Sequence, residues 1–240
     1  LLNQMKVIPG AISTNLLEME KSILAAEEAG HDIIAFPELC VTGYLVGDKW
    51  YEPDFLEDAF EGNQFLIDLL GKKKLNIAVI YGNVFSGELL AKNQDGRRRL
   101  YNCAIFLQYR SGIVTQLPVA KKLLPNYRMF DDKRYFHPGT NTIVIPVTFA
   151  SGEQVRIGLE VCEDMWCDDY QSNPTADLID KGAEYIFNLS SSPYSYGKSI
   201  ARDNVIARTL RKINNLCSFK NFFYVNCVGA QNNGKNIFLF

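Results

Sequence analysis

Apolar positions along the chain recur with two periods. Leu16, Met19, Ile23 and Ala26 fall three and four residues apart, which predicts an amphipathic helix over residues 15–30. Asn15 and Glu18 have the spacing of a capping box at its start, and Gly30 supplies the stop. A short, wholly apolar run at 33–36 follows, ended by Pro37, and predicts a buried strand. The same two signatures then alternate. A helical stretch at 63–70 leads into a strand at 76–84. Strands at 101–108 and 112–119 flank Tyr109-Arg110-Ser111, and strands at 142–149 and 155–161 flank Ser151-Gly152-Glu153, both as hairpins. Helix 175–181, strand 184–189, helix 199–216, strand 222–228 and a terminal strand at 237–240 complete the series. Helix and strand alternate at both ends with hairpins between, which is the pattern of a mixed α/β layered sheet.

No repeat, low-complexity tract or linker divides the 240 residues, so one domain is expected over 1–240. The final apolar strand has nothing after it to cover it, and suggests a piece of a longer protein. Apolar residues make up 47% and charged residues 22%, enough for a large core and too apolar for disorder. Lys and Arg total 25 against 27 for Asp and Glu, a net charge of −2, which gives no general attraction to nucleic acid or anionic membrane. The apolar runs fall far short of the roughly 20 residues that cross a bilayer. The first residues carry no basic stretch followed by an apolar one, so no signal peptide is expected and the cytoplasm is the expected compartment. The basic clusters at 72–74 and 97–99 read as a helix end and a solvated loop.

Six cysteines, Cys40, Cys103, Cys162, Cys167, Cys217 and Cys227, would permit disulfides, but a core of this size needs none. Four of them lie in apolar strand-like runs, as reduced buried thiols do. No C-x-x-C pair occurs and the only histidines are His31 and His137, so no metal site is expected. Gly197-Lys198-Ser199 imitates the end of a phosphate-binding loop, but the glycine required five residues earlier is Ser192.

Three reactive side chains fall where a predicted strand meets a loop, the position at which ligand sites gather in α/β sheets. Glu38 follows 33–36 and Pro37, Lys121 follows 113–120, and Cys162 follows 156–161. A carboxylate, an ammonium and a thiol can serve as base, oxyanion stabiliser and nucleophile. Each also has a plainer reading: a strand-end carboxylate, a solvated lysine beside Lys122, and a packed thiol whose neighbours Glu163 and Asp164 disfavour the thiolate. Spacing and composition do not choose between these readings.

The surrounding segments do. Phe36-Pro37-Glu38-Leu39-Cys40-Val41-Thr42-Gly43-Tyr44, the segment from Lys121-Lys122-Leu123-Leu124-Pro125-Asn126-Tyr127 through Phe136, and Gly158-Leu159-Glu160-Val161-Cys162-Glu163-Asp164-Met165-Trp166 resemble, in this order, the three triad segments of the nitrilase (carbon–nitrogen hydrolase) superfamily. Asn188-Leu189-Ser190-Ser191-Ser192-Pro193 with Gly197, Lys198 and Arg202, and the segment Tyr224-Val225-Asn226-Cys227-Val228-Gly229-Ala230-Gln231, are similar to its glutaminase branch, the ammonia-producing domain of glutamine-dependent NAD⁺ synthetases. The resemblance implies a four-layer α-β-β-α sandwich, packed across subunits into a homo-oligomer. It implies Glu38 as base, Cys162 as nucleophile, and Lys121 with the Glu163 N–H at the oxyanion. L-glutamine would be the substrate, contacted by Tyr127, Glu163, Ser192 and Lys198. It implies no cofactor for this domain, with ATP and Mg confined to a synthetase domain whose nucleotide loop this sequence lacks. Asp132 stands where the branch usually has glutamate, and the shorter side chain is expected to loosen the site or to need a bridging water. A free-standing amidase of the same superfamily and a catalytically silent assembly module are the alternatives.

Overall fold

The computed structural model describes residues 1–86, 92–93, 95–211, 218–232, 234 and 236–240. Two four-stranded sheets form its centre. In the first, β1 (Ile33–Ala35) lies parallel to β2 (Ala78–Ser86), and β3 (Leu100–Arg110) and β4 (Ile113–Ala120) follow antiparallel, with Tyr81 opposite Ile105. In the second, β5 (Val144–Thr148) is antiparallel to β6 (Gln154–Val161). β6, β7 (Tyr185–Ser190) and β8 (Asn221–Asn226) run parallel, with Leu159, Phe187 and Phe223 in register.

Side chains alternate across each pleat and so assign the layers. Ile80, Ala104 and Phe106 of the first sheet meet Ile157, Leu159, Phe187 and Leu189 of the second in one buried cluster between the sheets. The alternate residues Val79, Tyr81, Ile105 and Leu107 face Met19 and Ile23 of α1 (Ile12–Glu28) and Leu66 and Leu70 of α2 (Pro53–Lys73). On the far side, Ile186 packs with Leu178 and Ile179 of α4 (Pro174–Asp180) and with Leu210 of α5 (Lys198–Arg211). The order helix, sheet, sheet, helix is the four-layer α-β-β-α sandwich expected from the resemblance. The short helix α3 (Asp132–Tyr135) sits outside these layers, and the terminal strand pairs as β10 (Ile237–Leu239) with β9 (Ala230–Asn232).

Most predicted elements stand within two or three residues of their expected ends. Two helices differ for identifiable reasons. α1 starts at Ile12 with Ala11 at its N-cap, and the expected capping box is not formed. The Asn15 side chain instead binds the Ile8 N–H and the carbonyls of Ile8 and Val41 at 2.9–3.0 Å, tying two loops together. α2 begins ten residues before the predicted stretch, with Pro53 in its first turn. Its buried face includes Gly62 and Asn63, which break the apolar pattern. Asn63 earns its place by accepting hydrogen bonds from Tyr81 and Asn83. Lys72 and Lys73 close α2 as expected, and Arg97 and Arg98 pair with Asp95 and Glu57 on the surface. The helix predicted at 199–216 is seen to Arg211, and 212–216, with Cys217, lie outside the described residues. The other five cysteines are buried and unbridged.

Candidate active site

β1, β2 and β4 run in one direction, so Glu38 and Lys121 emerge at the same edge of the first sheet. Cys162 leaves β6 at the facing edge of the second. Leu39, after Glu38, and Cys162 itself both take left-handed backbone, φ 45° in each case, a conformation costing a non-glycine residue about 1–2 kcal/mol. The turn at Glu38 also needs Gly82 on the neighbouring strand. A Cβ there would stand 2.3 Å from the Leu39 nitrogen and 2.6 Å from the Glu38 Cα, closer than atoms can approach. Two strained turns held by packing orient Glu38 and Cys162, and Lys121 follows β4 beside Glu38.

Those side chains meet in a buried ionic array. Lys121 Nζ lies 2.8 Å from Glu38 Oε1 and 2.7 Å from Asp132 Oδ2, and all three side chains are at most 1% exposed. Glu38 accepts further hydrogen bonds from Asn102 Nδ2 (2.7 Å) and the Ser191 N–H (2.8 Å), and its carbonyl accepts the Ser191 hydroxyl. Asp132 accepts the Tyr44 hydroxyl on its other oxygen. The shorter Asp132 therefore reaches the lysine directly, without the bridging water expected from the sequence. α3 begins at this residue, and its N–H is held by the Pro125 carbonyl at 3.1 Å. Burial works against the Lys121 charge, but Asp132 and Glu38 outweigh it and hold the ammonium pKa well above its ordinary value.

Asp164 joins the two sheets at this point. Its carboxylate accepts the N–H groups of Lys122 (3.0 Å) and Leu123 (2.8 Å), just after Lys121, and that of Val161 (2.9 Å), just before Cys162. Burial raises its pKa to about 6.

Cys162 is 4% exposed and opens a 3₁₀ turn that runs to Met165. Burial, then the Glu38 carboxylate, push its thiol pKa well above the ordinary value. Lys121 opposes them and Glu163 adds to the rise. The expected influence of Glu163 is present, whereas Asp164 is spent on backbone amides. At neutral pH the proton stays on sulfur, so nucleophilic attack requires its transfer to a base. Iodoacetamide labelling of Cys162 is accordingly expected to quicken about tenfold per pH unit between pH 7 and 9. A rate plateau beginning below pH 8 would contradict this.

Of the four residues expected to contact substrate, Tyr127, Glu163 and Lys198 lie within the electrostatic reach of the thiol. Tyr127 and Tyr170 donate their hydroxyls to the Glu163 carboxylate at 2.9 and 3.0 Å. Ser192, buried, is fixed through its backbone N–H and carbonyl by the Asn226 side chain. Lys198 Nζ lies over the Trp166 ring, 4.3 Å from its centroid, and within the electrostatic influence of Cys162 and Glu163. Partial burial lowers its pKa. Gly197 precedes α5 with φ 76°, in a loop that places Lys198 beside Trp166. Sequence reasoning missed Tyr44, Asn102, Tyr170 and Ser191. Tyr44 and Ser191 lie in recognisable segments, those containing Glu38 and Ser192, whereas Asn102 and Tyr170 lie in none. Among the described residues no group of His, Cys, Asp or Glu is arranged to hold a metal, and no helix is long and apolar enough to cross a membrane.

An α/β sandwich with a carboxylate, lysine and cysteine brought to one edge defines a class, and comparison with known proteins agrees. A model of the carbon-nitrogen hydrolase family matches residues 2–233, and the chain belongs to that family. The glutamine-dependent NAD(+) synthetase of Synechocystis sp. is 32% identical over 237 residues, covering 96% of this chain and 39% of that relative. That of Thermotoga maritima is 30% identical, covering 86% of this chain and 32% of the relative. The chain thus spans well under half the length of these relatives. Among solved structures, the glutamine-dependent NAD+ synthetase of Acinetobacter baumannii superposes over the whole chain and 39% of its own length, with a TM-score of 0.75 at 27% identity. An amidase of the nitrilase superfamily from Nesterenkonia AN1 superposes with a TM-score of 0.74 at 17% identity, over 99% of this chain and 77% of the amidase, which shows a common fold.

Proposed function

We propose that this chain hydrolyses the side-chain amide of L-glutamine and supplies the ammonia to a synthetase domain of the same polypeptide. There ATP and Mg would drive conversion of deamido-NAD⁺ to NAD⁺. The observation that carries the reading is the buried Glu38–Lys121–Asp132 array beside the neutral Cys162 thiol. The similarity to glutamine-dependent synthetases along nearly the whole chain supports the choice of glutamine.

In the reaction, Glu38 takes the thiol proton as the sulfur attacks the amide carbon. The C=O pair moves to oxygen, and Lys121 Nζ with the Glu163 N–H receives the oxyanion. Glu38 then returns the proton to the amide nitrogen, the C–N bond breaks, and ammonia leaves a thioester on Cys162. Water, deprotonated by Glu38, attacks the thioester; the C–S bond breaks, the proton passes to sulfur and glutamate is released. Lys198 suits the substrate α-carboxylate, Glu163 the α-ammonium, and Tyr127 and Ser192 complete the amino-acid site. This domain needs no cofactor of its own. The setting we infer is a cytoplasmic homo-oligomer, with no nucleic-acid or membrane partner.

The second reading, a free-standing amidase acting on another amide, is favoured by the likeness to the Nesterenkonia amidase. Ammonia release from L-glutamine, measured beside propionamide and D-glutamine, separates the two. Turnover confined to L-glutamine is expected, and faster turnover of propionamide would favour the amidase.

A further inference from the structure

Behind the thiol, on the α4 side of the second sheet, lies a chain of buried polar groups that the reaction above does not use. Glu160 on β6 stands directly opposite Asn188 on β7, and both are at most 2% exposed. Asn188 Nδ2 donates to Glu160 Oε1 at 2.9 Å and to the Cys162 carbonyl at 3.3 Å. The Ser190 hydroxyl donates to Asn188 Oδ1 at 2.7 Å, and the Cys162 carbonyl, which can only accept, fixes the Nδ2 end of the amide toward it. The Thr175 hydroxyl of α4 donates to the second Glu160 oxygen at 2.9 Å. A buried carboxyl group costs folding free energy, and apolar side chains would fill this space at less expense. Its presence calls for a reason.

The Cys162 carbonyl and the Glu163 N–H belong to one peptide unit, which is planar. Whatever holds the oxygen therefore aims the N–H. That N–H lies in the first turn of a 3₁₀ segment, where backbone donors have no partner within the turn. A hydrogen bond to the carbonyl also polarises the unit and strengthens its N–H as a donor. We infer that Glu160 is a positioning residue for the oxyanion site: through Asn188 it holds the 162–163 peptide so that the Glu163 N–H points at the developing oxyanion. Burial raises the Glu160 pKa to about 8, with Asp164 adding to the rise, then Asn188 and Thr175 opposing it, and Lys122 opposing it last. Its role is that of an acceptor fixing Asn188, which a neutral amide can also fill. The inference rests on Cys162 being the nucleophile but not on glutamine being the substrate.

The test compares two reactions of the same thiol. Iodoacetamide alkylation displaces iodide and builds no oxyanion. Addition of propionaldehyde joins sulfur to the carbonyl carbon as a hemithioacetal, whose oxygen occupies the oxyanion site. Protection of Cys162 from alkylation by propionaldehyde is measured by peptide mass in the wild type and in Glu160→Leu, Glu160→Gln, Asn188→Leu and Thr175→Val. Glu160→Leu and Asn188→Leu are expected to weaken aldehyde protection at least tenfold while changing alkylation without aldehyde less than threefold. Glu160→Gln is expected to stay within threefold of wild type in both. Should the leucine variants not fold, Thr175→Val is expected to weaken protection two- to fivefold at unchanged alkylation. Equal loss of both reactions, or aldehyde protection unchanged in the leucine and valine variants, would overturn the inference. Glutamine hydrolysis is followed in parallel. If the wild type binds the aldehyde but leaves glutamine intact, the substrate assignment fails and the positioning role stands.

Discussion

Replacing Lys121 by methionine is expected to abolish amide hydrolysis and to lower folding stability by about 3–5 kcal/mol, the cost of removing one partner from a buried ionic group. Among the described residues the lysine is the only cation contacting these two carboxylates, which are at most 1% exposed, and methionine fills its volume without its charge. Because burial is outweighed by Asp132 and Glu38, the folded pKa of Lys121 lies above the unfolded one. Its stabilisation is therefore fully present below about pH 10.4, the ordinary lysine value, and fades only as pH climbs beyond it. Urea unfolding of wild type and variant at pH 7 and 9 is expected to give the same difference at both values. A stability loss below 1 kcal/mol would mean that the array is solvated or differently paired.

The second large effect is expected at Glu38. Glu38→Gln keeps the size of the side chain and one acceptor oxygen, but it cannot take the thiol proton. A positioned general base contributes about 10²–10⁴ in rate, and the base acts in both the acylation and the hydrolysis of the thioester. A fall of at least about 10³ in kcat is expected, equivalent to about 4 kcal/mol of barrier. Calorimetry should find the variant folded though less stable, since the new NH₂ meets donors from Ser191, Asn102 or Lys121. Activity within tenfold of wild type would move the base elsewhere.

Glu38, Lys121 and Cys162 were legible in the sequence as candidates, because each is a reactive side chain where a predicted strand meets a loop. Their roles came only from the resemblance of the segments around them. The mixed α/β character was legible from the order of helices and strands, whereas the four-layer sandwich was implied only by the resemblance. What stayed hidden are contacts made across the fold. Asp164 reads as a thiolate-disfavouring neighbour of Cys162, yet its carboxylate stitches Lys122 and Leu123 to Val161. Tyr44 caps Asp132 from 88 residues away, and Asn102 reaches Glu38 across 64. Buried polar pairs of this kind follow no period, so neither hydrophobic pattern nor motif spacing announces them. The misplaced start of α2 has the same origin, because Gly62 and Asn63 occupy buried positions where periodicity looks for apolar side chains.

The central claim is that Cys162 is a nucleophile within a site that reads glutamine. Incubation with an electrophilic glutamine analogue carrying a diazoketone, followed by intact mass and peptide mapping, tests it most directly. The account predicts one adduct, on Cys162, that L-glutamine suppresses and that forms at least tenfold more slowly in Glu38→Gln. Labelling of Cys162 that glutamine does not suppress, or an adduct on any other cysteine in its place, would contradict it.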